Sequence, residues 1–353
     1  MWRSLSLSVL LAGCGAAVGD ARVCSPRPVA APAGRNAPAI VLVTIDGARA
    51  ADIFDRARLP NLHRLIDRGV ALGAAASPMV ASGPRFVSLP GYREILTGRS
   101  GARCTDNECK SIDEPTLLDE LRQQDGPAAE DVAVIASWEV ITRAASIAPA
   151  SLALSAGRHG GVMRAALAVS EPARADLDRG ARASAWPGHG DYRPDAFTAA
   201  LALDVVAARR PRVLWVALGD ADEYAHRGDR NAYLAALAAA DRFLGGLVDI
   251  VGIDGTLVFV TADHGRAANF RDHGDAPESS EVWLVAAGPT IPRVGFARSA
   301  GRHRLADIAP TVRALLHLAA DDSPRAGRQI VELLDWTGGA NTLALSDLVQ
   351  VAR

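Results

Sequence analysis

Short apolar runs recur along the chain at Ile40–Ile45, Arg212–Leu218, Thr256–Val260 and Glu281–Ala287. Each has strand length and is rich in Val, Ile, Leu or Phe. None shows the strict polar alternation of a half-solvated sheet, so they predict strands buried on both faces. Between them, apolar positions recur at helical spacing over Leu59–Gly69, Thr116–Gln124, Ala196–Arg209, Ala232–Val248 and Ala306–Leu318. Strands alternating with amphipathic helices predict the α/β class: a three-layer α/β/α sandwich with a mostly parallel central sheet. A further helix is expected to begin near Ser88. Pro90 suits its first turn, whereas Gly91 weakens it.

The amino-terminal end follows a different pattern. Met1–Arg3 is a minimal basic region, Leu5–Ala12 is apolar but too short to span a membrane, and Leu11–Cys14 resembles a bacterial lipobox. Residues 1–13 therefore read as a lipoprotein signal peptide, with lipidation at Cys14, against the alternative of a plain secretory signal. Gly15 after the cysteine favours the outer membrane, so the expected location is the cell envelope, lipid-anchored through Cys14. The Ala/Pro/Gly-rich stretch 14–38 reads as a flexible tether that includes Cys24, and 39–353 as one compact domain. Residues 144–191 are either a substrate-side insertion or surface loops. Net charge is -2 and Lys110 is the one lysine. With no basic run interleaved with aromatics, no nucleic-acid surface is expected.

Chemistry collects where the apolar runs end. Asp46 follows the first, Asp222 and His226 lie just past the second, and Asp263 and His264 follow the third. In an open α/β sheet the carboxyl ends of the strands form the ligand crevice, which makes these side chains candidate ligands. Asp222 and His226 are spaced to meet on one helical turn, and a carboxylate with an imidazole suits Zn²⁺. His273 follows on an irregular stretch. Three of the eight histidines fall in these two fragments, a clustering that favours metal over ordinary surface or core histidines. Cys104 and Cys109 lie outside the ligand pattern. In an oxidising compartment they can form a local disulfide.

In this order the fragments resemble the alkaline phosphatase superfamily, closest in pattern to its nucleotide pyrophosphatase/phosphodiesterase branch, from about Ile40 to Leu318. Ser88-Leu89-Pro90 followed by Thr97-Gly98 fits the nucleophile segment, and Ala286–Pro289 with Asp307–Pro310 fits the tail pattern. The resemblance implies Ser88 as nucleophile and two Zn²⁺ ions. One would be held by Asp222, His226 and His273, the other by Asp46, Ser88, Asp263 and His264. Another divalent transition metal would suit one of the sites. It also implies an alkaline phosphatase-like catalytic domain over 39–353 that hydrolyses a small-molecule phosphate ester through a phosphoseryl intermediate. Zn²⁺ coordination would stabilise the serine alkoxide at neutral pH. Asn107 lies near the position of the branch's phosphoryl-binding asparagine. Lys110 is either a partner for the second charge of a monoester or a solvated loop cation.

Three alternatives stand beside a phosphodiesterase or phosphomonoesterase. Sulfatases of the superfamily carry arginine four residues after the nucleophile, where this chain has Tyr92, and use Ca²⁺ with oxygen ligands, which the histidines here do not suit. Phosphomutases usually carry a large inserted cap, and no second core of that size is visible. A noncatalytic metal- or phosphate-binding lipoprotein would be expected to have lost a ligand, and every position is filled.

Overall fold

The computed structural model describes residues 39–101, 103–124, 131–159 and 170–334. The strands are β1 (Ala39–Ile45), β2 (Gly69–Leu72), β3 (Met79–Val80), β4 (Val132–Ala136), β5 (Ala153–Ala156), β6 (Val213–Leu218), β7 (Thr256–Thr261), β8 (Glu281–Val282), β9 (Leu284–Ala287), β10 (Gly295–Phe296) and β11 (His303–Arg304). The helices are α1 (Ala50–Ile53), α2 (Pro60–Ile66), α3 (Ser88–Thr97), α4 (Leu117–Gln123), α5 (Thr142–Ala145), α6 (Glu171–Arg182), α7 (Asp195–Arg209), α8 (Asp220–His226), α9 (Arg230–Val251) and α10 (Ile308–Leu315). None of the helices among the described residues is long and apolar enough to cross a membrane.

The main sheet has eight strands in the order β10-β2-β9-β7-β1-β6-β4-β5, and only β9 runs against the rest. The pleat sends successive side chains to opposite faces. Ile40 and Leu42 of β1 accordingly join Trp215 and Phe259 in a core covered by α3, α4 and α10. Val41, Val43 and Ile45 join Val216 and Val260 in a second core covered by α2, α7 and α9. This is the three-layer sandwich expected from the alternation of elements.

Two departures from the expected elements have local causes. The predicted strand Glu281–Ala287 breaks at Trp283, whose indole N–H donates to the Ala48 carbonyl at 2.9 Å. Its first half joins a small three-stranded sheet, β11-β3-β8, and its second half the main sheet. Gly69, expected to end a helix, instead opens β2, where a Cβ would lie 2.0 Å from the Ala286 carbonyl oxygen. Within 144–191, β5 forms the edge of the main sheet and α6 packs on α7.

The register explains the position of the site. Neighbouring strands β7, β1 and β6 are parallel and level, with Thr44 opposite both Ala217 and Thr261, and Ile45 opposite Leu218. Asp46, the Gly219–Asp222 turn and the Asp263–His264 pair therefore leave the sheet along one edge, as expected for a crevice at the strand ends.

Candidate metal centre

Most of these side chains are fixed by the end of a regular element, while His273 lies on an irregular stretch. Asp46 follows β1, and its backbone N–H still donates to Leu218 of β6 at 2.9 Å. Gly47 then turns with φ 59°, a region open to glycine. A Cβ there would lie 2.3 Å from Asp222 Oδ1, so glycine also leaves room for the acidic cluster. Asp222 and His226 share α8, with Nε2 3.0 Å from Oδ2, as their spacing predicts. Ser88 is the first residue of α3, after an extended Val87. The helix runs unbroken through Gly91. The glycine is there because a Cβ would come within 2.2 Å of the Asp263 carbonyl oxygen.

The seven predicted positions come together. Ser88 Oγ lies 3.4 Å from both Asp46 Oδ1 and His264 Nε2. His264 Nε2 is 3.3 Å from Asp46 and 3.5 Å from Asp263. His273 Nε2 lies 3.0 Å from His226 Nε2 and 3.9 Å from Asp222. Ligand atoms of Asp46, Asp263 and His264 lie within 4.8 Å of one another, as do those of Asp222, His264 and His273. His264 thus stands between the two halves, and half-exposed His226 stands at the mouth.

The donor set fits divalent cations. The second oxygen of Asp263, Oδ2, is buried without a hydrogen-bond donor, a costly state for a carboxylate unless an ion meets it. His264 Nδ1 lies 2.8 Å from the Gly265 carbonyl and His273 Nδ1 2.8 Å from the Phe86 carbonyl. Each Nδ1–H therefore donates to backbone and directs Nε2 at the carboxylates, the orientation of metal-ligating histidines. Burial and the Asp46 carboxylate push Asp263 well above the usual carboxylate range. Burial opposes charge on His264, but Asp263 and Asp46 outweigh it and raise its pKa to about 10. His273 is pushed down to about 3 by burial and by His264. Burial would also raise Asp222, but Arg266 and the neighbouring histidines hold it well below its ordinary value.

The groups that orient this cluster were not legible as ligands. The Tyr92 hydroxyl donates to Asp46 Oδ2 at 2.8 Å, one helical turn after Ser88. The buried Arg266 guanidinium bonds Asp222 and the Phe270 and Arg271 carbonyls. Behind α8, Asp195 accepts from the backbone N–H groups of Gly219 and Asp220, while Tyr192 donates to Asp220. Desolvation raises Asp195 to about 6 and Asp220 to about 8. The spacing of Ser88 and Tyr92 on one helix face was a usable signal; the others had none.

The cluster opens into a pocket of about 630 Å³ whose wall includes Asn107, Glu108, Trp138, Tyr192, Glu223 and Arg227. Asn107 Oδ1 accepts from the Leu89 N–H at 2.9 Å, capping the start of α3. Cys104 and Cys109 form a disulfide around this loop, with Cα atoms 5.7 Å apart. Arg93 and Arg143 bond the loop carbonyls of Lys110 and Asn107. Lys110 is exposed and does not line the pocket.

Comparisons with known proteins agree with this fold. The crystal structure of wild-type alkaline phosphatase PafA superposes with TM-score 0.56 at 12% identity, covering 86% of this chain and 100% of that one. Phosphonate monoester hydrolase SpPMH from Silicibacter pomeroyi gives 0.58 at 16% identity, covering 86% and 78%. The 2-O GAG sulfatase BT1596 gives 0.55 at 10%, covering 84% and 74%. The chain has the alkaline phosphatase superfamily fold.

Residues 197–320 match the family described as Metalloenzyme superfamily, the segment that supplies Asp222, His226, Asp263, His264 and His273. The 2,3-bisphosphoglycerate-independent phosphoglycerate mutase of Halobacterium salinarum is 35% identical over 125 residues, covering 35% of this chain and 24% of that protein. That of Syntrophotalea carbinolica is 32% identical over 151 residues, covering 40% and 28%. The match thus spans about a quarter of the length of these relatives. Superfamily members of this kind are metal-dependent hydrolases or phosphotransferases.

Proposed function

We propose that this protein is a two-metal hydrolase of phosphate esters that favours diesters and works through a phosphoseryl intermediate at Ser88. The observation that carries the reading is the convergence of Ser88 Oγ on Asp46 and His264, both at 3.4 Å, beside the unpartnered Asp263 oxygen. Asp222, His226 and His273 would hold one Zn²⁺, and Asp46, Ser88, Asp263 and His264 the other. When bound, these ions would supply Lewis acidity that favours the Ser88 alkoxide and neutralises phosphoryl charge.

The chain's own residues define the rest of the reaction. Ser88 attacks phosphorus from the start of α3, where the positive end of the helix favours bound phosphate. Asn107 turns its carbonyl oxygen to Leu89, which frees its amide NH₂ to donate to a phosphoryl oxygen. The leaving oxygen departs in line, away from Ser88, and water then cleaves the phosphoserine along the same axis. The walls favour a diester. Among the described residues Arg227 is the one arginine or lysine lining the pocket, and it is paired with Glu223 at 2.9 Å. A monoester's second charge would find no free arginine or lysine there among the described residues.

A second reading, transfer of the phosphoryl group to an alcohol, is favoured by the similarity to phosphoglycerate mutases. The sulfatase reading has less support, since Tyr92 spans to Asp46 where sulfatases would place arginine. The envelope location, anchored through Cys14, is also part of the proposal. Its basis, Leu11–Cys14, lies outside the described residues. The test is initial rates of the Zn²⁺-loaded protein on p-nitrophenyl phosphate, bis-p-nitrophenyl phosphate and p-nitrophenyl sulfate. We expect the diester to turn over fastest and Ser88→Ala to lose turnover while retaining metal. Undiminished hydrolysis by Ser88→Ala would refute the mechanism, and a glycerol-dependent phosphorylated product would favour transfer.

A further inference from the structure

A second groove, of about 420 Å³, lies over the small three-stranded sheet and is lined in part by Arg302, Arg304, Ser82, Ser100, Ser280 and Phe86. The order β11-β3-β8 makes β11 an edge strand. Alternation along extended chain sends Arg302 and Arg304 to one side and the intervening His303 to the other. The bonds of His303 agree with this, since its Nε2 lies 3.2 Å from Glu332 and 2.7 Å from Ser299, neither of which lines the groove. Positions two apart on extended chain are separated by roughly 7 Å, so both guanidinium groups can converge on one small anion.

The charge in this groove is unbalanced. Neither Arg302 nor Arg304 has a carboxylate partner among the described residues, whereas Arg99, Arg313 and Arg325 each have one. Among the described residues no acidic side chain lines the groove. Asp307 accepts from the Arg304 backbone N–H at 2.8 Å but pairs with neither guanidinium, and Glu281 shares the cross-strand row of Val80 and Arg304 two strands away. The Ser82 and Ser280 hydroxyls donate inward, to Glu94 and to the Pro277 carbonyl. Recognition therefore falls to the guanidinium forks, whose geometry matches phosphate oxygens.

We infer that this groove is an accessory oxyanion site of the phosphate class, separate from the metal centre. It shares one wall with that centre. Phe86 lines the groove, while its carbonyl faces His273 Nδ1 and its N–H donates to Gly274. The bound group is either free phosphate or the phosphate of an anionic lipid headgroup.

The test is arginine modification by phenylglyoxal on the full metal-loaded chain, read residue by residue by mass spectrometry. Inorganic phosphate is compared with chloride at matched ionic strength, and phosphatidylglycerol vesicles with phosphatidylcholine vesicles. Arg302 and Arg304 should be protected several-fold, while the exposed Arg293 and Arg298 are not. Protection by phosphate identifies the free anion, and protection by phosphatidylglycerol vesicles alone identifies the headgroup. In Arg302→Gln, protection of Arg304 should fall while ester hydrolysis continues, so the result does not depend on the proposed catalytic function. If neither phosphate nor phosphatidylglycerol protects these two arginines beyond Arg293, the site does not exist.

Discussion

Asn107 joins structure to chemistry through a single amide. Its oxygen caps α3 and the residue lines the pocket, so capping and the proposed donation by its nitrogen are separable by substitution. Asn107→Asp keeps the acceptor for Leu89 but removes the donor to substrate and adds charge. It should slow diester hydrolysis by about 10²- to 10³-fold, the usual cost of one lost phosphoryl or oxyanion donor, with little change in thermal stability. An equal rate would remove Asn107 from the reaction. At this scale the convergence of these side chains was legible in the sequence because carboxylates and histidines stood just past the ends of the buried runs. Arg266, Asp195 and Tyr192 were not, because each acts through contacts with residues distant in the chain, such as Arg266 with Asp222, and Tyr92 was marked only by its spacing from Ser88.

At the scale of elements, α3 is held to its neighbours by the buried carboxyl of Glu94. It accepts from Ser82 N–H and Oγ and from Ala306 N–H at 2.9, 2.5 and 3.0 Å. Burial outweighs these bonds and raises its pKa from 4.5 to about 7. Between these values the folded state binds the proton more tightly than the unfolded chain does. Its contribution is thus fully present below pH 4.5 and lost as pH rises to about 7, a change of roughly 3 kcal/mol. Denaturant titrations of the wild type should show this fall relative to Glu94→Gln, and parallel pH profiles would contradict it. The long helices and central strands were readable from their periodicity. β4 and β5 were not: runs as short and alanine-rich as Val132–Ala136 and Ala153–Ala156 carry no period that separates strand from buried helix. The break at Trp283 depends on a bond to Ala48 that no local pattern encodes.

Over the whole molecule, three buried carboxylates, Asp46, Asp222 and Asp263, meet where adjacent parallel strands end. Such a concentration of negative charge opposes folding until cations occupy it. Ions present at about a thousand times their Kd would stabilise the fold by about 4 kcal/mol, so chelation should lower Tm on the order of 10 °C. Restoring Zn²⁺ should reverse the loss, and an unchanged Tm with metal demonstrably removed would contradict the assignment. The sandwich was legible because alternating strands and helices admit few layer arrangements. The level register that brings the three sites together is a property of the sheet alone.

The most direct test of the central claim is to trap the intermediate. The Zn²⁺-loaded protein would be mixed with bis-p-nitrophenyl phosphate, quenched in acid during turnover and mapped by peptide mass spectrometry. We predict a substrate-derived phosphoryl adduct on Ser88, absent from Ser88→Ala. Steady turnover with Ser88 unmodified and an active Ser88→Ala would contradict the account.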